Sequence, residues 1–356
     1  MSKVRYVILV SLMVVLSACG TVLHGSAGRA TEIVERGSLR DLAVARGFYI
    51  GAAVAFAPLS ANEEYRDTLK REFNMVVPEN AMKMGPIHPQ PTTYSFGAAD
   101  AIVKFAEANG MKVRGHNLVW HEQMPEWIKG GKFTRDELLN ILHDHIKTVV
   151  EHYKGRILAW DVVNEAIGDS GALRNDVWLS VIGPDYIDNA FRWAHEADPK
   201  AKLFYNDYGG EGMNGKSNAI YTLVKGMKER GVPIDGVGLQ MHISLNNPPS
   251  ADAVQANIER IGALGLQVHI TEMDVKIQDG AGTLDEKLAA QAQLYYDMAS
   301  VCLKTDPCKA FLTWGFTDQY TWITSPPGRP DAPLLFDKTY AFKPAYGALG
   351  DALAER

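Results

Sequence analysis

Short apolar runs alternate with longer amphipathic stretches along most of the chain. Eight runs are almost unbroken in hydrophobicity, which is typical of parallel strands buried on both faces. They cover residues 48–53, 74–77, 112–116, 157–163, 202–205, 236–240, 267–271 and 310–314. The stretches between them predict helices over residues 135–153, 186–197, 217–230, 251–264 and 284–304. Thr134 and Glu137 have the spacing of a capping box at the start of the first helix.

Eight strand–helix units predict an α/β fold, a single (β/α)8 TIM barrel that covers residues 34–354. A doubly wound parallel sheet is the alternative, but no nucleotide-binding fingerprint stands near the start of the chain. The sequence also lacks a Pro/Ser-rich linker and an internal repeat. We therefore expect one catalytic-sized domain.

The first residues differ in composition from the rest of the chain. Lys3 and Arg5 precede an apolar run at residues 7–16, which is too short to span a bilayer. This pattern predicts a signal peptide over residues 1–18, followed by a short Gly-, Ala- and Ser-rich tether over residues 19–33.

The apolar run ends in Leu16-Ser17-Ala18-Cys19-Gly20, which resembles a bacterial lipobox. The resemblance predicts lipidation of Cys19 and an acyl anchor at a membrane. Gly20, rather than Asp, after the cysteine favours the outer membrane of a Gram-negative cell. The alternative is a plain secretory signal and a periplasmic or secreted protein, in which Cys19 would be incidental.

Composition narrows the class of partner. The chain has 356 residues, of which 46% are hydrophobic and 22% charged, and its net charge is −6. Loss of residues 1–18 would remove two cations and no acidic residue, so the net charge would become −8. An acidic mature protein without basic blocks argues against nucleic acid as a partner. Contact with a membrane is expected only through the lipid anchor.

Two cysteines remain after Cys19. Cys302 and Cys308 are six positions apart, and an even pair in an exported protein favours a small disulfide loop over a metal site. The sequence has no C-x-x-C redox motif and no dense cluster of Asp, Glu and His. We therefore expect chemistry that needs neither a metal nor another cofactor.

Two glutamates end two of the predicted buried strands. Glu165 follows the apolar run that starts at Leu158, and Glu272 follows the run that starts at Leu266. In a barrel, the C-terminal strand ends face one active-site mouth, and two carboxylates there can cleave a glycosidic bond. A single buried glutamate would more simply be a structural ion-pair partner, but two in this setting favour catalysis.

Other predicted strand ends carry amides, carboxylates and indoles. Such side chains are typical of a sugar site, where polar edges bind hydroxyl groups and flat rings stack on the sugar. The tryptophans could instead fill the core, since aromatic side chains pack more often than they bind. The positions are Glu79, Asn80, Lys83, His116, Trp120, Asn164, Asn206, Tyr208, Gln240, His242, Asp274, Trp314 and Trp322.

A phosphate-binding pattern competes with this interpretation. Residues 210–217 fit the P-loop G-x-x-x-x-G-K-[ST] and lie between a predicted strand and a predicted helix. The pattern stands at the fifth of eight units, however, after a strand that ends in polar Asn206-Asp207, in a chain expected outside the cytoplasm. We therefore interpret Ser217 as the N-cap of the helix that follows.

Four motifs resemble those of glycoside hydrolase family 10, the endo-β-1,4-xylanase family. The resemblance extends from about Leu39 to Tyr346. It implies a retaining enzyme that hydrolyses internal β-1,4 bonds of xylan or xylo-oligosaccharides. The motifs are Trp160-Asp161-Val162-Val163-Asn164-Glu165, Ile270-Thr271-Glu272-Met273-Asp274, Arg114-Gly115-His116-Asn117-Leu118-Val119-Trp120-His121 and Trp314-Gly315-Phe316-Thr317-Asp318.

The resemblance implies a role for each glutamate. Glu165 would be the general acid/base and Glu272 the nucleophile, with their carboxyl groups about 5–5.5 Å apart. Glu165 would have to stay protonated near neutral pH, so we expect nearby negative charge and partial burial to raise its pKa. Glu272 would be ionised and held by His242, whose ring Asp274 would orient.

The remaining positions receive substrate-binding roles by the same resemblance. Asn164 would bind the sugar 2-hydroxyl group, and Trp314 and Trp322 would form the wall of the subsite beside the nucleophile. Asn206 and Tyr208 would lie towards the leaving-group side. The positions expected on the glycone side are Glu79, Asn80, Lys83, His116, Trp120 and Gln240.

The chain departs from the family pattern at two places. Met84 stands where the family usually has tryptophan, and Gly209-Gly210 stands where longer side chains are common. These departures concern the outer subsites. A related β-1,4-glycanase acting on cello- or short xylo-oligosaccharides is one alternative function. A non-catalytic surface glycan-binding lipoprotein is another, against which the intact glutamate pair argues.

Overall fold

The computed structural model describes residues 37–323 and 331–355. The predicted signal peptide, Cys19 and the tether lie outside these residues. The described residues contain nine parallel strands, which we number in chain order. Strands β1 to β9 are Tyr49–Val54, Met75–Pro78, Lys112–Val119, Ala159–Asn164, Lys202–Asp207, Gly236–Leu239, His242–Ser244, Gln267–Lys276 and Cys308–Thr313.

Eight of these strands close into a barrel. The order β6-β5-β4-β3-β2-β1-β9-β8 is completed by direct parallel pairing of β6 with β8, where Gly236 lies opposite Gln267. Every strand pair is parallel, and helices connect most consecutive strands. The predicted (β/α)8 barrel is therefore confirmed, and the alternative of an open doubly wound sheet is wrong.

Strand β7 was not predicted from the sequence. It is three residues long and pairs only with the far end of β8, where His242 lies opposite Asp274. Because β8 runs to Lys276, well past its predicted end at residue 271, it offers β7 a partner above the barrel proper. This added pairing brings His242 to the mouth of the barrel.

The helices surround the barrel, and the five predicted ones are present, two with the predicted ends and three with ends shifted by one or two residues. The capping box at Thr134 is confirmed, since Thr134 N donates to Glu137 Oε2 (2.8 Å) and Glu137 N to Thr134 Oγ1 (3.3 Å). Helices α1 to α12 are Leu39–Ala45, Phe56–Ala61, Glu63–Glu72, Met84–Ile87, Gly97–Ala108, Glu126–Lys129, Arg135–His152, Tyr186–Ala197, Gly215–Glu229, Ala251–Gly262, Leu284–Lys304 and Pro344–Ala354.

The prediction that Ser217 caps its helix was wrong. Helix α9 begins at Gly215, and Asn214 is its N-cap, with Asn214 Oδ1 accepting from Ser217 N at 2.8 Å. Ser217 Oγ in turn accepts from Asn214 N at 2.8 Å. Asparagine and serine are both good caps, and the first of the two in the chain takes the position.

Polar side chains fill part of the barrel interior. Arg114 forms a fully buried ion pair with Asp161, and Asp161 Oδ2 also contacts His116 Nδ1 at 3.0 Å. Arg114 Nη1 lies 2.8 Å from His269 Nδ1. Strand β3, which carries Arg114 and His116, continues three residues beyond its predicted end at residue 116, to Val119.

The predicted disulfide is present. Cys302 in α11 and Cys308 at the start of β9 are bonded, with Cα atoms 5.1 Å apart. Over residues 37–323 and 331–355, no group of three His, Cys, Asp or Glu side chains is arranged to hold a metal ion. No helix in the described part of the chain is long and apolar enough to cross a membrane.

Candidate active site

A cleft of about 510 Å³ opens at the C-terminal ends of the strands, and both glutamates line it. Most of the predicted sugar-site residues line it as well. These are Glu79, Asn80, Lys83, His116, Trp120, Asn164, Tyr208, Gln240, His242, Trp314 and Trp322. The structure therefore brings together side chains from β2, β3, β4, β6, β8 and the segments that follow them.

Three neutral N–H groups point at the Glu165 carboxyl group. Trp120 Nε1 donates to Oε2 at 2.9 Å, while Gln240 Nε2 and Asn164 Nδ2 donate to Oε1 at 2.9 and 3.1 Å. The nearest ring of a histidine is that of His121, whose Nδ1 lies 3.9 Å from Oε2. The side chain is nearly buried, so these donors fix its position at the edge of the cleft.

The backbone of Glu165 has an unusual conformation. Its φ of 58° lies in the left-handed region, which non-glycine residues rarely adopt and which recurs at functional sites. Both main-chain polar groups are bonded, since Glu165 N donates to Asn206 O at 2.8 Å and Arg174 Nε donates to Glu165 O at 2.9 Å. The main chain is thus held on both sides of the carboxyl-bearing residue.

Glu272 has a charged partner instead. His242 Nε2 lies 3.1 Å from Glu272 Oε2, and His242 Nδ1 lies 2.9 Å from Asp274 Oδ2. Trp322 Nε1 donates to the same Asp274 oxygen at 2.7 Å. His116 Nδ1 is 3.8 Å from the other Glu272 oxygen. The predicted chain from Glu272 through His242 to Asp274 therefore exists as a contact network.

The ionisation of this network follows from its charges. Burial would lower the pKa of His242, but the carboxylates of Asp274 and Glu272 outweigh it and raise that pKa to about 10. Burial would raise the pKa of Glu272, but the hydrogen bond from His242 and the charge of His116 hold it below its ordinary value. At neutral pH, Glu272 is therefore an ionised carboxylate beside an imidazolium.

Two amides connect the glutamates. Asn206 Nδ2 donates both to Glu272 Oε1 (2.7 Å) and to Asn164 Oδ1 (2.8 Å), and Asn164 Nδ2 donates on to Glu165. Thr271 Oγ1 donates to Asn206 Oδ1 at 2.8 Å and so fixes the orientation of that amide. A Cβ added to Gly238 would lie 2.0 Å from Asn206 Oδ1, so only glycine leaves room for it.

The expected place of Asn206 on the leaving-group side was wrong. Its side chain is fully buried and does not line the cleft. In the strand register, Asn206 lies opposite Asn164 on one side and Gly238 on the other, so the side chain points into the barrel beneath the glutamates. Asn206 therefore bonds to Glu272 and Asn164 inside the barrel and does not line the cleft.

One end of the cleft is formed by a lysine between two indoles. Lys83 Nζ lies 4.7 Å from the ring centre of Trp120 and 5.6 Å from that of Trp314, and it donates to Asn80 Oδ1 at 2.9 Å. Burial lowers the pKa of Lys83 and raises that of nearby Glu79. This end offers flat rings and several polar groups to a ligand.

The opposite side holds Tyr208 above a buried cation. Lys216 Nζ lies 3.4 Å from the ring centre of Tyr208 and 3.0 Å from Asp207 Oδ1. Burial raises the pKa of Asp207 to about 6, although Lys216 opposes the shift. Lys216 is the lysine of the P-loop pattern, and here its ammonium group is bound to an aspartate and an aromatic ring.

Four residues of the cleft were given no role from the sequence. His121 is the last residue of one of the four motifs, and Glu122 and Gln123 directly follow it. Arg174 is different because it lies in the long connection after β4, far from any strand end, where no sequence signal marks it. Its Nη2 also donates to the Tyr208 hydroxyl group at 3.3 Å.

Comparison with known proteins gives consistent matches. The model of glycosyl hydrolase family 10 matches residues 38–352. Endo-1,4-beta-xylanase B of Thermotoga neapolitana is 45% identical over 89% of this chain and 92% of its own length. Beta-1,4-xylanase of Dictyoglomus thermophilum is 43% identical over 96% of this chain and 97% of its own length. Two longer relatives match over 85% of this chain but only 28% and 27% of their own lengths.

A solved structure supports the same comparison at the level of coordinates. Xylanase 10B from Thermotoga petrophila RKU-1, in complex with xylobiose, superposes with a TM-score of 0.85. It is 49% identical in sequence, and the match covers 89% of this chain and 97% of that one. The similarity extends over the whole barrel, including the strands that carry the two glutamates.

Proposed function

The chain belongs to glycosyl hydrolase family 10 and is an endo-1,4-β-xylanase, and we propose that it acts by retention with Glu165 as acid/base and Glu272 as nucleophile. The observation that carries the assignment of roles is the contrast between the two carboxyl groups. Glu272 faces an imidazolium, which favours an ionised nucleophile. The Glu165 carboxyl group accepts hydrogen bonds only from neutral N–H groups, so it lacks the cationic partner that Glu272 has.

The first step forms a covalent intermediate. A Glu272 oxygen attacks the anomeric carbon of the sugar while Glu165 gives its proton to the glycosidic oxygen, so the C–O bond breaks and the leaving sugar departs as an alcohol. Asn206 and His242 hold the two Glu272 oxygens during the attack. Asn164 lies beside the acid in the cleft, a position from which it could bind the sugar 2-hydroxyl group.

The second step regenerates the enzyme. Glu165, now a carboxylate, takes a proton from water, and the water oxygen attacks the anomeric carbon from the face that the leaving sugar vacated. The bond to Glu272 then breaks and its electron pair returns to the carboxylate. Two inversions give net retention, so the newly formed reducing end is β.

The substrate assignment is supported by the shape and lining of the cleft. Trp314 and Trp322 lie on the Glu272 side, where Trp322 contacts Asp274, and Lys83 sits between Trp120 and Trp314. We assign this end to the glycone and the Tyr208 end to the leaving group. A related solved structure was determined with xylobiose, a ligand of the same class.

The stereochemical course tests this proposal directly. Xylohexaose is hydrolysed in an NMR tube, and the anomer of the first product is recorded before mutarotation. We expect the β-anomer first, and a crystal structure should place the carboxyl groups about 5–5.5 Å apart. Early α-anomer, or a separation near 9 Å, would mean inversion and would overturn both roles.

We also propose that the enzyme is exported and anchored by a lipid on Cys19, most simply in an outer membrane. The support is the sequence pattern of residues 1–20 alone, which lies outside the described residues. In fractionated cells, the wild-type protein should sediment with membranes and Cys19→Ala should become soluble. Retention of the variant in the membrane fraction would refute lipidation at this residue.

A further inference from the structure

A second cavity, of about 430 Å³, lies outside the catalytic cleft and shares no lining residue with it. Three half-buried aromatic rings form its walls: that of Tyr94 from one segment of the chain, and those of Trp127 and Phe133 from a second. We call it the second aromatic cavity. Its volume is close to that of the catalytic cleft, which is large enough for more than one sugar unit.

Buried His88 holds these rings in place. Tyr94 stacks on its imidazole with centres 4.1 Å apart, and Trp127 meets it edge-on at 5.0 Å. Trp127 Nε1 donates to His88 O at 3.3 Å, and Phe133 packs edge-on against Trp127 at 6.5 Å. The rings are therefore fixed relative to one another before any ligand arrives, which lowers the entropic cost of binding.

The cavity carries no net charge. Its rim has one exposed anion, Asp144, and one exposed cation, Lys147, together with the hydroxyl group of Thr148. Burial lowers the pKa of His88 and lowers that of His145, which stacks behind it, to about 3. Flat rings with a polar, electrically neutral rim suit an uncharged sugar better than an ionic ligand.

Two loops each contribute residues to both the catalytic cleft and the second aromatic cavity. Lys83 and Gln123 line the cleft, and the same two segments run on to Tyr94 and Trp127 in the cavity. Gly85 N donates to Gln123 O at 2.8 Å, and a Cβ on Gly85 would lie 2.4 Å from that oxygen, so the loops are in close contact. The loops that carry Lys83 and Gln123 at the glycone end of the cleft therefore also carry two of the aromatic rings of the cavity.

We propose that the second aromatic cavity binds a segment of the same xylan chain or of a neighbouring one, as a non-catalytic binding site. This inference rests on the proposed function, because it takes its ligand from the reaction. A site of this kind would raise the local concentration of polymer at the cleft. A xylo-oligosaccharide that is only long enough to fill the cleft would not reach the second aromatic cavity, so its hydrolysis would not depend on that cavity.

Kinetics on a polymeric and on a short substrate distinguish the contribution of the second aromatic cavity from that of the catalytic cleft. We expect Trp127→Ala to raise KM on soluble linear xylan by at least about fivefold, while kcat/KM on xylotriose stays unchanged. In a Glu272→Ala background, Trp127→Ala should also weaken retardation in native gels that contain xylan. Thr148→Arg fills the cavity without removing a ring, so it should give the same result even if Trp127→Ala fails to fold.

Phe56→Ala is the matched control, because Phe56 is 41% exposed and lines neither cavity. The proposal fails if Thr148→Arg matches this control both in KM on xylan and in gel retardation. Failure of the proposed function would look different, since wild-type enzyme would then leave xylotriose intact or release the α-anomer.

Discussion

The two halves of the catalytic cleft hold the same functional group in opposite ways. Glu165 sits on a left-handed backbone and accepts hydrogen bonds from an indole and two amides. Glu272 lies within strand β8 and faces an imidazolium that a second carboxylate orients. Sequence alone gives both residues the same description, a glutamate at the end of a buried strand.

The difference shows that the two glutamates are distinguished by the groups that contact their carboxyl groups, and not by the side chain itself. A carboxyl group in contact with a cation is stabilised as the anion more strongly than one that accepts hydrogen bonds only from neutral donors. The amides of Asn164 and Asn206 join the halves, so neither carboxyl group can move without disturbing the other. Substitutions that remove one carboxyl group or one of its partners at a time test the two halves, and they give five predictions.

The largest effect should come from removing the nucleophile. Glu272→Ala should lower kcat on xylan by a factor on the order of 10⁵ or more, because no covalent intermediate can form, while xylo-oligosaccharide binding remains measurable. Added azide should restore some turnover of an activated aryl xyloside and give the α-azide. Glu72→Ala is the control, since Glu72 is an equally buried carboxylate outside the cleft. Near wild-type rates for Glu272→Ala would refute the assignment.

Removing the acid/base should have a smaller and more selective effect. Glu165→Ala should lower kcat on xylan by about 10²–10⁴-fold. The first step with a dinitrophenyl xyloside should survive, because that leaving group needs no proton. Azide should then attack the covalent intermediate and give the β-azide, the opposite anomer from Glu272→Ala. If both variants give the same azide anomer, the two halves do not have distinct roles.

Loss of His242 should move the pH profile. The imidazolium holds the pKa of Glu272 below its ordinary value, so His242→Gln should raise that pKa and shift the acidic limb of kcat/KM to higher pH. Asp274→Asn keeps the imidazole and should give a smaller shift. An acidic limb that stays in place would show that His242 does not control the ionisation of Glu272.

The same histidine makes stability depend on pH. Its pKa is about 10 in the folded protein, above the ordinary value near 6.5 expected for the unfolded chain. Its stabilisation is therefore complete below about pH 6.5 and is lost as pH rises through 10. The Tm difference between wild type and His242→Gln should accordingly be larger at pH 6 than at pH 10.5.

The smallest effect should come from one donor on the Glu165 side. Trp120→Phe keeps a ring in place but removes the indole N–H, and a hydrogen bond of this kind is worth about 1 kcal/mol, or roughly fivefold in kcat/KM. The acidic limb should stay where it is, because Glu272 keeps its partner. Trp193→Phe, outside the cleft, should change neither quantity. A shifted acidic limb in Trp120→Phe would contradict the conclusion that the acidic limb depends only on Glu272 and its partners.

The sequence predicted the barrel and both glutamates because two simple patterns coincide there. Buried parallel strands appear as unbroken apolar runs, and polar residues directly after such runs lie at the barrel mouth. Asn206 is an exception to this rule. It is the next-to-last residue of β5, and its side chain points inward beside Asn164. One residue of difference in a strand reverses the side chain's direction.

Other features depend on contacts that no local pattern carries. Strand β7 is three residues long and exists only because β8 continues above the barrel. Arg174 reaches the Glu165 carbonyl group from a loop nine residues further along the chain, a contact set by tertiary folding. Ser217 and Asn214 are both plausible caps, and the sequence alone does not rank them.

Trp322 provides an intrinsic fluorescence signal in the half of the cleft that contains Glu272. Of the seven tryptophans, all of which lie in the described ranges, it is the exposed one, at 47% of its surface, and its indole N–H is bonded to Asp274. Its emission should therefore come from a water-exposed indole in the empty enzyme. A sugar ring stacked on it would displace water and shift the emission to shorter wavelength, so unlabelled protein would report occupancy of the cleft during a titration.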